Sequence, residues 1–167
     1  MEQIVKDWLK FAFYDLFNSK DVSLIDACVR EECINHRLAV WLEKHRPVKF
    51  FDYFVDIEYD KNNGLKKELL VKGVDQEVRP DIIVHKRSCN PSENLLVFEC
   101  KKDECAERDK DKLDGFLCDE RYSYKYGIAV VYRPKMNEDK FLLKINDSKY
   151  LSISYDLSNW DSAVAAL

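Results

Sequence analysis

Two short segments in the middle of the chain are apolar on both faces, and both carry charged residues at one end. Residues 79–85 read RPDIIVH, and residues 95–101 read LLVFECK. Successive side chains of a strand point to opposite faces, so a strand that is apolar on both faces must be covered on both sides. The two segments therefore predict two central strands in a chain of 167 residues, which is the size of one domain.

The remaining periodicity predicts helices first and a sheet afterwards. An apolar repeat of three and four residues indicates a helix over 4–18, and Asp21 or Ser23 is a plausible N-cap for a longer helix that Pro47 stops after about His45. Alternation predicts strands at 49–59 and 68–74, which pair through a turn at Asn62-Asn63-Gly64. The same signals predict strands at 126–132, 141–145 and 151–155 and a helix at about 104–120. We expect one α/β or α+β domain over 1–167, with helices in 4–45 and a mixed sheet in 49–155.

Charged residues interrupt the two central strands at places that a hairpin would bring together. Asp81 lies near the start of the first strand, and Glu99 and Lys101 lie at the end of the second. If residues 86–94 connect the strands as a hairpin, the start of one lies beside the end of the other. Two carboxylates and an ammonium group then meet at one rim of the sheet.

This group of residues suits a hard divalent cation. Crowded carboxylates repel each other unless a cation lies between them, and Mg²⁺ (or Mn²⁺) prefers one or two carboxylates together with water. Asp81 and Glu99 are the expected metal ligands, the backbone carbonyl of Cys100 is a possible further ligand, and Lys101 would position an attacking water or stabilise charge on phosphorus. The alternative is a surface salt bridge from Glu99 to Lys101 or Lys102 at a strand end.

The motif Pro80-Asp81 … Glu99-Cys100-Lys101 resembles the signature of the PD-(D/E)XK nuclease superfamily, the fold of many restriction enzymes. The likeness extends to the order of elements over roughly residues 25–135, and the two strand segments look like those of small bacterial and phage-type members. The resemblance implies a restriction-endonuclease-like core, a mixed sheet flanked by helices, and divalent-metal hydrolysis of phosphodiester bonds.

In many members of that superfamily an acidic residue on the first helix completes the metal site. Glu31 and Glu32 are the candidates here, and Glu31 is favoured because it shares a helical stripe with apolar residues (Ala27, Ile34, Leu38 and Trp41). A charged residue on an apolar stripe needs a partner, and the metal site is one such partner. Glu31 is therefore the fourth expected catalytic residue.

Several other polar residues have competing interpretations. Asp56 and Glu58 extend the acidic cluster or decorate an edge strand with solvated charge, the more usual outcome, and His85 is expected to be a structural histidine. His36 and Arg37 either touch a phosphate or serve the helix surface. The helix at 104–120 alternates basic and acidic residues, which is typical of a solvated, salt-bridged face and is also the best local candidate for a contact with the DNA backbone.

Composition restricts the partners. With 27 basic and 31 acidic residues the net charge is −4, so DNA would have to bind through a local basic patch. Six cysteines without CxxC spacing, and no export signal or apolar run long enough for a membrane, predict a cytoplasmic protein with reduced thiols and no membrane partner. A homo-oligomer is possible. The competing functions are a metal-dependent nuclease, a catalytically silent scaffold with the same fold, and hydrolysis of another phosphorylated substrate.

Overall fold

The computed structural model describes residues 2–62, 64–71, 74–103, 106–132, 141–145 and 149–153. Its helices are α1 (Gln3–Asn18), α2 (Val22–Asp26), α3 (Glu31–Lys44) and α4 (Glu107–Cys118). Its strands are β1 (Phe54–Ile57), β2 (Lys61–Asn62), β3 (Leu65–Lys66), β4 (Glu68–Val71), β5 (Val74–Glu77), β6 (Ile82–His85), β7 (Asn94–Lys101), β8 (Tyr126–Val131), β9 (Phe141–Ile145) and β10 (Lys149–Ile153). Short 3-10 turns lie at Val48–Phe50 and Pro91–Glu93.

Six strands form one mixed sheet in the order β1-β6-β7-β8-β9-β10. The β7–β8 pair is parallel and the other four pairs are antiparallel. Two small hairpins, β2–β3 and β4–β5, stand outside this sheet. The fold is therefore mixed α+β with helices against the sheet, which confirms the coarse class that the sequence predicts.

The sheet is covered on both faces, as the two apolar segments predict. Ile82, Phe98 and their neighbours on one face pack against α1 and α3, whereas Ile83 and Val97 on the other face pack against α4. All residues of β6 and β8 are buried. Helix α4 lies so close to β8 that a Cβ added at Gly127 would come within 3.1 Å of a Leu117 methyl group, so this glycine permits the close approach of helix and strand.

The single long helix predicted from residue 21 to His45 is wrong. The chain forms α2 and α3 instead, separated by a break at which Cys28 adopts a positive φ of 53°. A left-handed residue cannot continue a right-handed helix. The Trp41 indole donates a hydrogen bond of 2.8 Å to the Asp21 carboxylate and so ties the two helices together. The apolar repeat of residues 4–18 predicts a buried stripe of Ile4, Trp8, Phe11, Ala12 and Leu16. In the structure Phe11 is 53% exposed and Ile4 is partly buried, whereas Val5, Leu9 and Phe13 are buried with the other three.

The region between α3 and β6 departs from the predicted pair of strands. Residues 49–59 contain a 3-10 turn and the short β1, and β1 pairs with β6 rather than with residues 68–74. Strand β4 pairs with β5, which the sequence did not suggest. The turn at Gly64 is where expected, with a φ of 83° that favours glycine. Strand β10 begins two residues before the predicted 151–155, of which the last two lie outside the described residues.

No helix among the described residues has both the length and the apolar character needed to cross a bilayer. The thiols of Cys33, Cys89, Cys100 and Cys118 are free, and Cys105 lies outside the described residues.

Candidate active site

Strands β6 and β7 bring Asp81 and Glu99 to the same rim of the sheet. Ile83 pairs with Val97 and Ile82 with Phe98, so one further step along the register sets Asp81 opposite Glu99. The Asp81 amide continues the ladder with a hydrogen bond of 3.2 Å to the Phe98 carbonyl. Directly opposed residues of an antiparallel pair share a face. The Asp81 carboxylate is held in place by the Cys100 amide, which donates a hydrogen bond of 2.6 Å.

The Lys101 ammonium lies at the centre of this rim. Its Nζ is 3.6 Å from Asp81 Oδ2, 3.4 Å from Glu31 Oε1 and 3.8 Å from Asp109 Oδ1. It also donates a hydrogen bond of 2.8 Å to the Cys100 carbonyl. Burial alone would lower the pKa of Lys101, but the three carboxylates outweigh burial and the pKa is raised. Lys101 is therefore a protonated hydrogen-bond donor and not a base.

Helix α3 directs Glu31 at the site, whereas Glu32 faces solvent. The first turn of α3 contains both residues, and the 3.4 Å contact to Lys101 belongs to Glu31 alone. Burial raises the pKa of Glu31, and the nearby Asp81 charge adds to that effect against the opposing charge of Lys101. The helical phase inferred from the apolar stripe is thus the one that the structure has.

Glu99 is completely buried, and its carboxylate forms an ion pair with a lysine of helix α4, on the face of the sheet opposite α3. Its Oε2 lies 2.7 Å from Lys112 Nζ on α4, and its Oε1 has no hydrogen-bond partner in the described part of the chain. Burial raises the pKa of Glu99 to about 7, with a further contribution from the Asp81 charge, while Lys112 opposes the shift. The alternative of a surface salt bridge from Glu99 to Lys101 or Lys102 does not describe this buried pair.

Two members of the site, Asp109 and Lys112, were not predicted as such. The Asp109 carboxylate accepts a hydrogen bond of 3.0 Å from the Ala106 amide at the start of α4, and its second oxygen faces Lys101. The sequence does hold a signal, because Asp109, Lys112, Leu113 and Phe116 follow the spacing of one helical face. Charged residues on the stripe that packs against a sheet need buried partners.

Cys100 contributes its backbone to the site and its side chain to the opposite face. The thiol is fully buried beside Tyr132, and burial raises the pKa of Cys100 well above its usual value. A thiol held neutral in this way is a poor nucleophile. The Tyr132 hydroxyl in turn donates a hydrogen bond of 2.7 Å to Asn35 Oδ1.

The other polar candidates have partners of their own. Strand β1 is an edge strand, but Asp56 is not a solvated decoration of it, because the carboxylate lies 2.8 Å from both His85 Nε2 and Arg87 Nε. Burial would raise the pKa of Asp56, and these two partners outweigh burial so that the pKa is low. His85 is the structural histidine that was expected.

Glu58 and Arg37 also form ion pairs outside the Lys101 cluster. Glu58 pairs with Arg79, and its pKa is raised first by burial and then by the Asp81 and Glu32 charges. Arg37 pairs with Asp21 at 2.9 Å and holds α2 against α3. Neither side chain contacts Lys101 in the described structure.

The donor set at this rim fits a divalent cation, although the described residues hold no group of three His, Cys, Asp or Glu side chains already arranged around one point. Four carboxylates (Glu31, Asp81, Glu99 and Asp109) face two ammonium groups, which leaves an excess of acid. The unpartnered Glu99 Oε1 is a buried hard oxygen of the kind that Mg²⁺ binds. Asp81, Glu99 and the Cys100 carbonyl are therefore chemically suitable ligands.

Comparison with known proteins adds no relative: no family model matches the chain, and no curated protein or solved structure is significantly similar to it.

Proposed function

We propose that this chain is a metal-dependent nuclease of the PD-(D/E)XK type, with a restriction-endonuclease-like core, that hydrolyses phosphodiester bonds in DNA. The observation that carries the proposal is the Lys101 ammonium, which contacts Asp81, Glu31 and Asp109 at a rim where Glu99 is also buried. A surface salt bridge needs only one carboxylate beside the lysine. Three half-buried carboxylates around Lys101 instead fix the position of its ammonium group, so that its positive charge lies at a defined point of the site.

Different residues of the site would bind the metal, donate hydrogen bonds to the reacting groups and hold the ligands in position. The carboxylates of Asp81 and Glu99 and the Cys100 carbonyl would hold Mg²⁺ or Mn²⁺, which when bound polarises a phosphoryl oxygen and lowers the pKa of a water ligand. Lys101 stays protonated beside its acidic neighbours, so it acts by donating hydrogen bonds to the attacking water or to a phosphate oxygen. Lys112 keeps Glu99 in position from α4.

Contact with DNA would rely on the rim around α4, since the net charge of the chain is −4. Lys102 lies next to the site and donates a hydrogen bond of 3.2 Å to the Cys28 carbonyl, and Arg108 is exposed on the first turn of α4. Lys112 does not belong to this patch, because it points inward to Glu99. A homo-oligomer would enlarge such a patch.

The second candidate is a scaffold that keeps the fold without catalysis. Lys101 and Lys112 already give each carboxylate of the site an ion-pair partner, so the site holds together without a metal. The acidic net charge favours the same alternative.

The test is cleavage of linear, circular and single-stranded DNA by the purified protein in Mg²⁺, in Mn²⁺ and in EDTA. We expect cleavage with either cation and none in EDTA, and cutting of the circle would identify an endonuclease. Lys101→Ala should lower the rate by about 100-fold or more, as loss of a preorganised donor does. The matched control is Lys66→Ala, a lysine that pairs with Glu77 outside the site and the proposed DNA-contacting patch, and its rate should equal that of wild type within about twofold. Wild-type protein that neither cuts DNA nor is stabilised by Mg²⁺ would establish the scaffold.

A further inference from the structure

A separate cavity of about 210 Å³ lies at the other end of β6 and β7. It borders His85, the last residue of β6, and Asn94, the first residue of β7, and the β2–β3 hairpin closes one side at Lys61 and Gly64. Lys101 is at the opposite end of β7, seven residues from Asn94, which corresponds to about 24 Å along the strand. The cavity is therefore distinct from the rim that holds Asp81 and Glu99.

The cavity lining carries positive charge without a carboxylate. Four basic side chains border it (Lys61, Lys67, Arg87 and Arg121), and no Asp or Glu is among its described lining residues. Arg87 and Arg121 are each oriented by an acid behind them, Asp56 and Asp119, through two of their five N–H donors. The remaining donors of both guanidinium groups make no hydrogen bond to a described residue and can bind a ligand, and Lys61 Nζ lies 3.9 Å from Asp60 Oδ2.

Lys67 is the most unusual of the four because it is buried and no carboxylate of the described residues is in contact with its ammonium group. Its residue is 3% exposed, and Nζ donates hydrogen bonds to the backbone carbonyls of Tyr59 and Lys61. The ammonium also lies 4.4 Å from the centre of the Tyr59 ring. Burial lowers the pKa of Lys67 to about 8, and the more distant charges of Asp60 and Asp56 oppose the shift without cancelling it. A buried charge of this kind is costly unless an opposite charge is supplied.

Tyr124 adds a hydrogen-bond donor to the same cavity. The residue is 1% exposed, and its ring packs edge-on against Phe116 at 5.8 Å. Its hydroxyl makes no hydrogen bond to any described residue, whereas the hydroxyl of the neighbouring Tyr122 is bonded to the backbone of Glu68. Buried hydroxyl groups normally have partners, so a ligand or water in the cavity is the natural partner of Tyr124.

The size of the cavity restricts the ligand. Pockets for drug-sized molecules span about 300–1,000 Å³, and the 210 Å³ of this cavity lies below that range. Ammonium, guanidinium and hydroxyl donors without a carboxylate suit a compact oxyanion. We propose that this cavity binds a terminal phosphoryl group, held by Lys67, Lys61 and Tyr124 with the spare donors of Arg87 and Arg121.

Two sources share this chemistry: a free mononucleotide and the 5′-phosphorylated end of a nucleic-acid strand. The proposal does not depend on the nuclease assignment, because it concerns binding at the other end of the sheet. All measurements are therefore made in EDTA, where the proposed nuclease would be silent. Failure to bind phosphate would leave the cleavage assay unaffected, and failure to cleave would leave the binding assay unaffected.

The experiment is calorimetric titration of the full chain with orthophosphate, with AMP, and with a short oligonucleotide bearing either a 5′-phosphate or a 5′-hydroxyl. The wild-type protein should bind orthophosphate. The probe that binds most tightly identifies which molecule supplies the phosphoryl group. If the source is a strand end, the 5′-phosphorylated oligonucleotide should bind about tenfold more tightly than its 5′-hydroxyl form. If the source is a mononucleotide, AMP should bind more tightly than either oligonucleotide.

Three variants test the residues of the cavity. Tyr124→Phe removes only the hydroxyl and should weaken orthophosphate binding about fivefold, the effect of one hydrogen bond. Lys61→Gln should weaken it by a similar factor, and Lys67→Met by about tenfold or more. Lys66→Gln is the matched control: Lys66 is the cross-strand partner of Lys61 but lies outside the cavity lining, and it should bind as wild type does. If Lys67→Met fails to fold, the first two variants still decide the question.

A chemical readout locates the binding site. Cys89 is exposed and borders the cavity, whereas Cys33 is exposed on α3. Orthophosphate should slow alkylation of Cys89 by iodoacetamide and leave Cys33 unchanged, as followed by peptide mass spectrometry. The proposal is overturned if no probe binds at millimolar concentration, or if phosphate binds but Tyr124→Phe and Lys61→Gln both retain wild-type affinity.

Discussion

The two ends of the β6–β7 pair carry opposite charges, and they differ in whether each buried charged side chain has an ion-pair partner. At the end near Asp81 four carboxylates share two ammonium groups, and every carboxylate has an ion-pair partner within 4 Å. At the end near His85, Asp56 and Asp119 have ion-pair partners, but the buried Lys67 ammonium contacts backbone carbonyls and the Tyr59 ring and no carboxylate of the described residues. One sheet therefore offers an excess of acid at one end and a buried cation without a contacting acid at the other.

The contrast follows from where the apolar core stops. Between the two ends, both strands are buried and apolar, which leaves no position for charge. Ionisable groups collect where the strands leave the core, and the elements that approach each end decide the sign. Helices α3 and α4 bring acids and Lys112 to one end, and the hairpin that follows Tyr59 brings Lys61 and Lys67 to the other.

The largest effect on cleavage should come from substituting Asp81, and comparison with a Lys101 variant distinguishes a metal ligand from a hydrogen-bond donor. Asp81→Asn keeps an oxygen for the Cys100 amide but removes the charge, so cleavage should fall about 1,000-fold and the stabilisation by Mg²⁺ should disappear. Lys101→Ala should lose cleavage and keep the Mg²⁺-dependent rise in Tm, because lysine is not a metal ligand. Thermal unfolding with and without Mg²⁺ measures the difference. Equal loss of the Mg²⁺ effect in both variants would contradict the division of roles.

Lys112→Met should destabilise the metal-free protein by about 3 kcal/mol, because it leaves the fully buried Glu99 without its counterion. Adding Glu99→Met should restore most of that loss, since replacing both members of a buried pair by apolar groups is often close to neutral. The control is Lys110→Met on the outer face of α4, where Lys110 pairs with the exposed Glu107 and a change of about 0.5 kcal/mol is expected. Urea unfolding measures all three. A Lys112→Met variant as stable as Lys110→Met would show that the pair is not buried in solution.

The pH dependence of the free energy of unfolding tests whether Lys67 is buried at the cationic end. Burial lowers the pKa of Lys67 to about 8, below the ordinary value of a lysine. Below pH 8 both the folded and the unfolded chain hold the proton, and the folded chain bears the full cost of the buried charge. Between pH 8 and about 10.4 the unfolded chain keeps its proton while the folded chain loses it, so the stability from Lys67 rises with pH by roughly 2–3 kcal/mol. The wild-type free energy of unfolding, measured from pH 7 to 10 against Lys67→Met, should show this rise, and parallel curves would contradict it.

The sequence was more informative about the acidic end than about the cationic end. Asp81, Glu99 and Lys101 were foreseeable because strand alternation and a hairpin decide which side chains share a rim, and the phase of a helix selects Glu31 over Glu32. Helical spacing places Asp109 and Lys112 on one face of α4 with Leu113 and Phe116, but the strand residues that they meet depend on how α4 lies across the sheet, which local periodicity does not encode. Lys67 follows a charged turn in the sequence, and its burial arises only when that turn folds back over Tyr59. The break at Cys28 was hidden by an apolar stripe that continues across it.

The smallest effect should distinguish two neighbouring glutamates on α3. Both Glu31 and Glu32 lie in the first turn of the helix, where a negative charge interacts favourably with the helix dipole. Neutralising either one removes that contribution equally, so the comparison isolates the contact between Glu31 and Lys101. Glu31→Gln should slow cleavage about tenfold, because Lys101 loses one of the three carboxylates that orient it, and Glu32→Gln should remain within about twofold. Cleavage rates at saturating Mg²⁺ decide the matter, with urea unfolding to verify that the two variants are equally stable. If the two variants are equally slow, the helix terminus as a whole acts on the site, and Glu31 has no part of its own in holding Lys101.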